Sequence, residues 1–299
     1  MGQLVYILGR SGTGKSYSMR NFPKENLAVI NVQGKMLPFK GASKLEVTNT
    51  DNSANILKAL DIYSSDYKSI VVDDYQYVMS NEFMRRSAEK GYDKFTEIAR
   101  HAWDIANKVR ELPSDVIVYI MCHTDRDEDG NEKIKTIGRL LDEKICLEGL
   151  STIVLQTNVS DGQYTFTTQN NGRNTVKSPY GMFPSYAIDN DLWYVDQKIR
   201  NYYEMAGSAS DEDIAAMDQA VAKPEVDKTA TRRRHRKETN GQAQEEKPTE
   251  APTEEKKEEA VAEQPAEPKR RRRRREQTEK KPLNIDDFAE DDTDEDLPF

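Results

Sequence analysis

Residues 9–16 read GRSGTGKS and directly follow the apolar run LVYIL at residues 4–8. The apolar run predicts a buried β-strand, and the residues after Lys15 predict a helix. Together they give the full G-x-x-x-x-G-K-[ST] pattern in the order strand, loop, helix that a phosphate-binding loop (P-loop) requires. Glycines let backbone amides approach phosphate oxygens, and the helix directs its positive end at the same anion. The predicted nucleotide-binding residues are Gly9, Arg10, Ser11, Gly12, Thr13, Gly14, Lys15 and Ser16.

Two side chains of this loop and two acids further along the chain have predicted chemical roles. Lys15 can reach the β- and γ-phosphates of a nucleotide, and the Ser16 hydroxyl can bind Mg²⁺. The run IVVDD at residues 70–74 places two acids at the end of a predicted strand. We expect Asp73 to hold Mg²⁺ and Asp74 to orient the attacking water, with a solvated strand-end carboxylate as the alternative for Asp74. ATP and Mg²⁺ are therefore the predicted cofactors.

His123 directly follows the next apolar run, residues 116–122. In P-loop folds this strand commonly lies beside the P-loop strand and ends in a polar side chain that senses the γ-phosphate. His123 is therefore a candidate sensor, and a purely structural histidine is the alternative.

Strand and helix patterns alternate over the first 205 residues. Apolar runs at residues 27–32, 45–48 and 69–72 predict strands, and residues 52–63 and 80–111 have helical patterns. This alternation predicts an α/β fold with a mostly parallel sheet. Asp161-Gly162, between two β-rich runs, predicts an added antiparallel hairpin. A second hairpin is predicted at residues 127–130, and helices are predicted at residues 140–147 and 191–203.

Composition divides the chain at residue 205. Residues 206–299 contain no Trp or Tyr and carry 19 basic and 26 acidic residues, so most of the net charge of -9 lies there. Such a segment cannot bury enough apolar surface to offset the entropy of ordering. We therefore expect a folded domain at 1–205, a disordered linker at 206–282 and an acidic tip at 283–299. No run is long and apolar enough for a membrane helix, so we expect a soluble cytoplasmic protein without membrane contact.

The linker contains two Arg-rich runs, residues 232–237 (RRRHRK) and 269–275 (KRRRRRR). Clustered Arg side chains bind nucleic-acid phosphates without sequence preference, although acidic blocks between the runs also fit a charge-balanced linker. The tip has eight acids over residues 286–299 and ends in Leu297, Pro298 and Phe299. A terminal Phe offers an apolar side chain and a carboxylate together, which suits a partner pocket with a basic residue. The tip could also fold back on the Arg-rich runs.

The chain resembles the small RecA-like ATPases of bacteriophages, including the Sak-four group of single-strand annealing ATPases. The resemblance rests on the P-loop, residues 70–74, His123 and the runs at 138–157 and 168–203. The resemblance covers most of residues 1–205 and implies a RecA-like P-loop core that forms homo-oligomers on single-stranded DNA. The separate flanking domains of RecA have no counterpart here. The tip resembles the acidic tip of bacterial single-stranded-DNA-binding proteins, which implies partners that recognise such tips. If a phage encodes the chain, the compartment is the host bacterial cytoplasm.

The resemblance also implies that ATP is bound between neighbouring subunits. A basic side chain of one subunit would then reach the γ-phosphate held by the next and stabilise the charge that develops on it. Lys177 is the first candidate and Arg173 the second, ahead of Arg139 and Lys144. The alternative for each is a solvated surface cation.

Three functions fit these features. The first is a recombination ATPase that acts on single-stranded DNA by annealing or strand pairing. The second is a helicase-loading or replication-fork ATPase, and the third is a non-catalytic adaptor switched by nucleotide. A small-molecule kinase fits less well, because no Arg-rich lid is evident and such an enzyme has no use for this tail.

Overall fold

Ten strands and five α-helices make up the part of the chain that the computed structural model describes, residues 1–138 and 140–221. The strands are β1 (Gln3–Leu8), β2 (Leu27–Asn31), β3 (Glu46–Asn49), β4 (Ser69–Asp73), β5 (Ile117–Cys122), β6 (Thr124–Arg126), β7 (Glu132–Ile134), β8 (Ile153–Ser160), β9 (Gln163–Thr167) and β10 (Ala187–Asp189). The helices are α1 (Ser53–Asp66), α2 (Gln76–Arg85), α3 (Asp93–Lys108), α4 (Leu192–Tyr202) and α5 (Asp211–Val221). None of these helices combines the length and apolar character needed to cross a membrane.

Eight of the strands form one sheet in the order β10-β9-β8-β1-β5-β4-β2-β3. The six strands from β8 to β3 run parallel, and β9 and β10 add antiparallel pairs at one edge. The predicted α/β fold, with a mostly parallel sheet and an added antiparallel hairpin, is confirmed. β5 lies between β1 and β4, so the strand that directly precedes His123 does border the P-loop strand, as predicted.

The central strands are mostly apolar because helices cover both faces of the sheet. Every residue of β2, β4 and β5 is buried. On β1, Tyr6 and Leu8 pack with α1, α2 and α3, while Val5 and Ile7 pack on the other face with α4. The carboxyl ends of these parallel strands meet at one edge of the sheet, which is where ligands bind in open α/β folds.

Two turns agree with the sequence pattern. Asp161 and Gly162 have φ angles of 52° and 75°, and β8 and β9 flank them as an antiparallel pair. Positive φ at both positions is what a two-residue hairpin turn requires, and Asp-Gly adopts it at low cost. The second predicted hairpin is formed by β6 and β7.

The helical predictions need three corrections. The region at 80–111 is two helices, α2 and α3, and Gly91 between them has a left-handed φ of 94°. The helix predicted after Lys15 is only a short 3₁₀ helix (Ser16–Asn21), because Pro23 favours the extended backbone seen at Phe22. The helix predicted at 140–147 is a short π-helix (Leu140–Lys144) followed by a 3₁₀ helix (Leu147–Leu150).

A buried ion pair in α4 fixes the helix to the sheet near the amino end of β4. Arg200 Nε donates to Asp196 Oδ2 at 2.7 Å, and both side chains are almost fully buried. Asp196 Oδ1 also accepts from the Ser69 and Tyr119 hydroxyls, at 2.7 and 2.9 Å. Arg200 further donates to the Lys68 carbonyl at 2.7 Å. These contacts hold α4 to the start of β4, to Lys68 just before it, and to β5.

The folded domain extends beyond residue 205. α5 lies in the segment that composition predicts to be disordered, and it packs on α4: the Tyr194 hydroxyl donates to Asp218 at 2.7 Å and Ile214 is buried. Ser210 begins the helix, since its hydroxyl accepts the Asp213 N–H at 3.2 Å. The predicted linker therefore begins too early. Its remaining residues and the tip, 222–299, lie outside the described residues.

Candidate nucleotide-binding site

The P-loop connects the carboxyl end of β1 to the 3₁₀ helix. A Cβ atom at Gly9 would lie 2.0 Å from Thr157 Oγ1, and one at Gly14 would lie 2.7 Å from the Tyr164 ring. Gly14 also has a φ of 98°. Both positions therefore require glycine, which leaves the backbone amides of the loop accessible.

Threonine hydroxyls fix the shape of the loop. Thr13 Oγ1 donates to the Arg10 carbonyl at 2.7 Å and lies 2.6 Å from Thr157 Oγ1. Thr157 Oγ1 also lies 3.1 Å from the Leu8 carbonyl oxygen. β8 therefore supports the P-loop from the side, at a position that the local motif does not reveal.

Lys15 is buried and folded back over its own loop. Its Nζ donates to the Gly9 carbonyl at 2.9 Å and to the Arg10 carbonyl at 3.1 Å. Burial lowers the pKa of Lys15, and the carboxylates of Asp73 and Asp74 act in the opposite direction. The ammonium group is thus held beside the loop by neutral carbonyls, which phosphate oxygens can replace.

Ser16 and Asp73, the two residues predicted to bind a metal ion, are in contact. Ser16 Oγ donates to Asp73 Oδ2 at 2.7 Å, although the two residues are far apart in sequence. Burial raises the pKa of Asp73, while the hydrogen bond from Ser16 acts to lower it. A hydroxyl and a carboxylate in contact match the oxygen ligands that Mg²⁺ prefers.

Asp74 lies between two basic side chains. Lys35 Nζ is 2.7 Å from Asp74 Oδ2, and His123 Nε2 is 3.5 Å from Asp74 Oδ1. Burial acts to raise the pKa of Asp74, but its contacts with His123 and Lys35 outweigh that effect and lower the pKa to about 2. Asp74 also has a left-handed φ of 59°, which is unusual for a non-glycine residue.

The structure therefore brings two predicted residues, Asp74 and His123, into contact and adds Lys35, which the sequence analysis missed. Lys35 lies in the connection after β2, where no motif marks it. His123 is partly buried, and its backbone N–H donates to Gln76 Oε1 at 3.2 Å. Its ring packs edge-on against Tyr77, with the ring centroids 6.1 Å apart.

A cavity of about 520 Å³ joins these groups. One side contains the P-loop with Tyr17 and Tyr164, whose ring centroids are 5.7 Å apart. Both tyrosines are partly exposed and offer aromatic surface of the kind that binds a nucleobase. The lining residues are Ser11, Gly12, Gly14, Lys15, Ser16, Tyr17, Asn31, Lys35, Met36, Leu37, Pro38, Asp73, Asp74, His123 and Tyr164.

Three of the predicted P-loop residues, Gly9, Arg10 and Thr13, do not line this cavity. Arg10 is exposed and borders a smaller cavity beside β6 and β7. Gly9 and Thr13 instead shape the loop through the contacts with Thr157. Gly9 and Thr13 would thus contribute to a nucleotide site indirectly, through the shape of the loop.

Three of the four candidate basic residues, Arg173, Lys177 and Lys144, do not line the cavity of their own chain. Arg173 is exposed, and Lys177 is held beside β8 by two backbone hydrogen bonds with Val154. Lys144 is exposed as well, and Arg139 lies outside the described residues. The predicted partner-binding residues Leu297, Pro298 and Phe299 and both Arg-rich runs are also outside the described residues.

The residues of the cavity fit Mg·ATP. The close approaches at Gly9 and Gly14 leave a loop of backbone amides beside an ammonium group, which suits a polyphosphate. The Ser16–Asp73 pair supplies oxygen ligands for the metal. Tyr17 and Tyr164 supply apolar surface in the same cavity.

Comparison with known proteins shows that this site lies within a segment that matches a protein family. A family model described as an AAA domain matches residues 1–180, which is more than half of the 299-residue chain. The match includes the P-loop, both strand-end acids, Lys35 and His123. No curated protein matches the chain.

Proposed function

The chain belongs to the AAA domain family, and we propose that it hydrolyses ATP to act on single-stranded DNA, in annealing or strand pairing. The family supports a nucleotide-binding P-loop ATPase in general, and it does not address DNA or recombination. The observation that carries the ATPase part is the 2.7 Å contact between Ser16 and Asp73, in the same cavity as Lys15 and Asp74.

Each side chain at the strand ends has a distinct role in this proposal. Mg·ATP would supply the phosphoanhydride bond and a metal ion that neutralises the charge developing on the phosphates. Lys15 would hold phosphate oxygens in place of the Gly9 and Arg10 carbonyls, and Ser16 and Asp73 would hold the metal ion. Asp74 orients a water molecule, since its low pKa keeps it ionised and able to accept a hydrogen bond. His123 monitors the γ-phosphate from the adjacent strand.

A neighbouring subunit completes the site. None of the described residues that line the cavity is Arg, and its cations are Lys15, Lys35 and, when protonated, His123. Lys15 and Lys35 are already paired or hydrogen-bonded within the chain. A basic residue from a second copy, with Lys177 first and Arg173 second, would supply the missing positive charge.

The support for single-stranded DNA comes from the sequence. The two Arg-rich runs offer phosphate contacts without sequence preference. The resemblance to phage RecA-like ATPases suggests the same substrate, and the tip suggests partners that recognise the tips of single-stranded-DNA-binding proteins. Phe299 would enter an apolar pocket of such a partner while the acids face its basic surface.

The test is ATP hydrolysis by the full-length protein with no DNA, with single-stranded DNA and with duplex DNA of the same length. We expect single-stranded DNA to stimulate hydrolysis several-fold more than duplex DNA, and the same protein to accelerate annealing of complementary strands. Hydrolysis that no DNA affects would contradict the recombination function. It would favour the helicase-loading ATPase, and the absence of hydrolysis under all conditions would favour the nucleotide-switched adaptor.

A further inference from the structure

Lys35 is placed in the cavity with a hydrogen-bonded backbone and a side chain that is more than half exposed. Its carbonyl accepts a hydrogen bond from Asn31 Nδ2 at 2.7 Å, and Asn31 ends β2 beside Asp73 in the parallel pair. The side chain is 57% exposed and lies above the Tyr77 ring, with Nζ 5.1 Å from the centroid. Lys35 can therefore rotate about its side-chain bonds without moving the backbone.

The groups that would bind nucleotide are satisfied by one another. Lys15 donates to two loop carbonyls, Ser16 donates to Asp73, and Asp74 contacts Lys35 and His123. In this arrangement each carboxylate oxygen of Asp74 already has one basic partner, Lys35 at Oδ2 and His123 at Oδ1, and a water molecule at Asp74 would compete with them. Release of one of these contacts makes an Asp74 oxygen more available to orient an attacking water.

The charge balance of the cavity favours release of the contact between Lys35 and Asp74. Lys15 and Lys35 balance Asp73 and Asp74, and Mg·ATP brings a net negative charge into the same space. The γ-phosphate carries more charge and more acceptor oxygens than a single carboxylate, so it competes effectively for an ammonium group. Lys35 is more exposed than Lys15, and its ammonium group is carried on a flexible aliphatic side chain.

We infer that Lys35 is a γ-phosphate ligand that leaves Asp74 when a nucleoside triphosphate enters, and so frees Asp74 to orient the attacking water. The inference rests on the proposed ATPase function. It makes Lys35 responsible for the distinction between ATP and ADP, because the β-phosphate of ADP is already bound by Lys15 and the loop amides. With ADP, Lys35 stays on Asp74 and the site stays closed to hydrolysis.

The experiment compares nucleotide affinities of the full-length protein by calorimetry, with Mg²⁺ and either ADP or a non-hydrolysable ATP analogue whose β–γ bridge is an imido group. The variants are Lys35→Ala, Lys35→Arg and Lys40→Ala. Lys40 is an exposed lysine of the same connection that does not line the cavity, and it serves as the matched control. Melting temperatures of all variants report whether folding is intact.

We expect Lys35→Ala to weaken binding of the ATP analogue about tenfold or more, the loss of one charge-assisted contact, and to leave ADP affinity within about twofold. Lys35→Arg should retain most of the preference for the triphosphate, and Lys40→Ala should bind both nucleotides as the wild type does.

Two results would overturn the inference while leaving the proposed function in place. One is an unchanged ratio of the two affinities in Lys35→Ala together with faster hydrolysis, which would make Lys35 only an inhibitory partner of Asp74. The other is equal weakening of both nucleotides, which would make its role structural. Failure of the wild type to bind either nucleotide would instead contradict the proposed function, and the inference would fail with it.

Discussion

Asp73 and Asp74 are consecutive residues whose pKa values move in opposite directions. Burial dominates at Asp73 and raises its pKa. At Asp74 the contacts with His123 and Lys35 outweigh burial and lower the pKa to about 2. Ionised Asp73 is therefore costly in the nucleotide-free protein, a cost that a metal ion would offset. Asp74 is ionised at no such cost. This difference fits Asp73 as a ligand of the metal ion and Asp74 as the hydrogen-bond acceptor for the attacking water.

The low pKa of Asp74 gives a pH dependence of stability. A carboxylate with a pKa lower in the folded protein than its unfolded value of about 3.9 stabilises the fold above that pH. That stability is lost as the pH falls through about 2. Asp74→Asn removes the charge and keeps a residue that tolerates the left-handed backbone. We expect it to lower the melting temperature by a few degrees at pH 7, in thermal melts of the nucleotide-free protein.

The difference between wild type and Asp74→Asn should shrink as the pH is lowered from about 4 towards 2, because the wild-type side chain then becomes neutral too. A difference that stays constant from pH 7 to pH 2 would show that the charge of Asp74 is not what stabilises the contact.

The same residues show what sequence can predict at this scale. The P-loop and Asp73 are recognisable because their chemistry is encoded in short contiguous motifs. Lys35 is not, because it reaches Asp74 only through the pairing of β2 with β4, in which Asn31 faces Asp73. Tyr164 likewise meets Gly14 only because the β8–β9 hairpin lies beside the P-loop strand.

At the scale of elements, α4 is fixed to the sheet by the Asp196–Arg200 pair. Removal of one partner would leave the other charge buried and unpaired, which costs about 3–5 kcal/mol in comparable cases. We expect Arg200→Met to lower the free energy of unfolding by that amount in urea titrations monitored by circular dichroism. Arg110→Met is the control, because Arg110 is exposed and the described residues give it no ion pair.

The control should change the free energy of unfolding by less than about 0.5 kcal/mol. A small effect of Arg200→Met, equal to that of the control, would mean that α4 is held by its apolar contacts alone.

The strand and turn predictions were more accurate than the helix predictions, for a physical reason. Buried parallel strands are short apolar runs, and Asp161-Gly162 specifies its own turn. α2 and α3 form one continuous polar pattern in which only Gly91 marks the break. α5 was missed because composition averaged it with the charged tail, although Ser210 followed by three acids is a helix start signal.

At the scale of the whole molecule, the account predicts active sites shared between subunits. Lys177 and Arg173 do not line the cavity of their own chain, and we therefore propose that they reach the γ-phosphate of a second copy. We expect Lys177→Ala to reduce hydrolysis about 100-fold, the usual effect of removing one group that stabilises the transition state.

Mixing inactive variants tests the sharing directly. Lys177→Ala mixed with Lys15→Ala should recover activity, because some interfaces then combine an intact P-loop with an intact Lys177. Recovery would be measured as phosphate release against the mixing ratio, with each variant alone as the baseline. If the mixture stays as inactive as its components while Lys177→Ala alone is impaired, Lys177 acts within its own subunit.

The central claim is that residues 9–16 with Asp73 and Asp74 form a site that hydrolyses ATP. The most direct test is phosphate release from Mg·ATP, with single-stranded DNA present, by the wild type, Lys15→Ala and Lys44→Ala. Lys44 is exposed and does not line the cavity. The account predicts that Lys15→Ala loses about 100-fold or more of the rate and that Lys44→Ala hydrolyses ATP as the wild type does. Equal rates for all three proteins would contradict it.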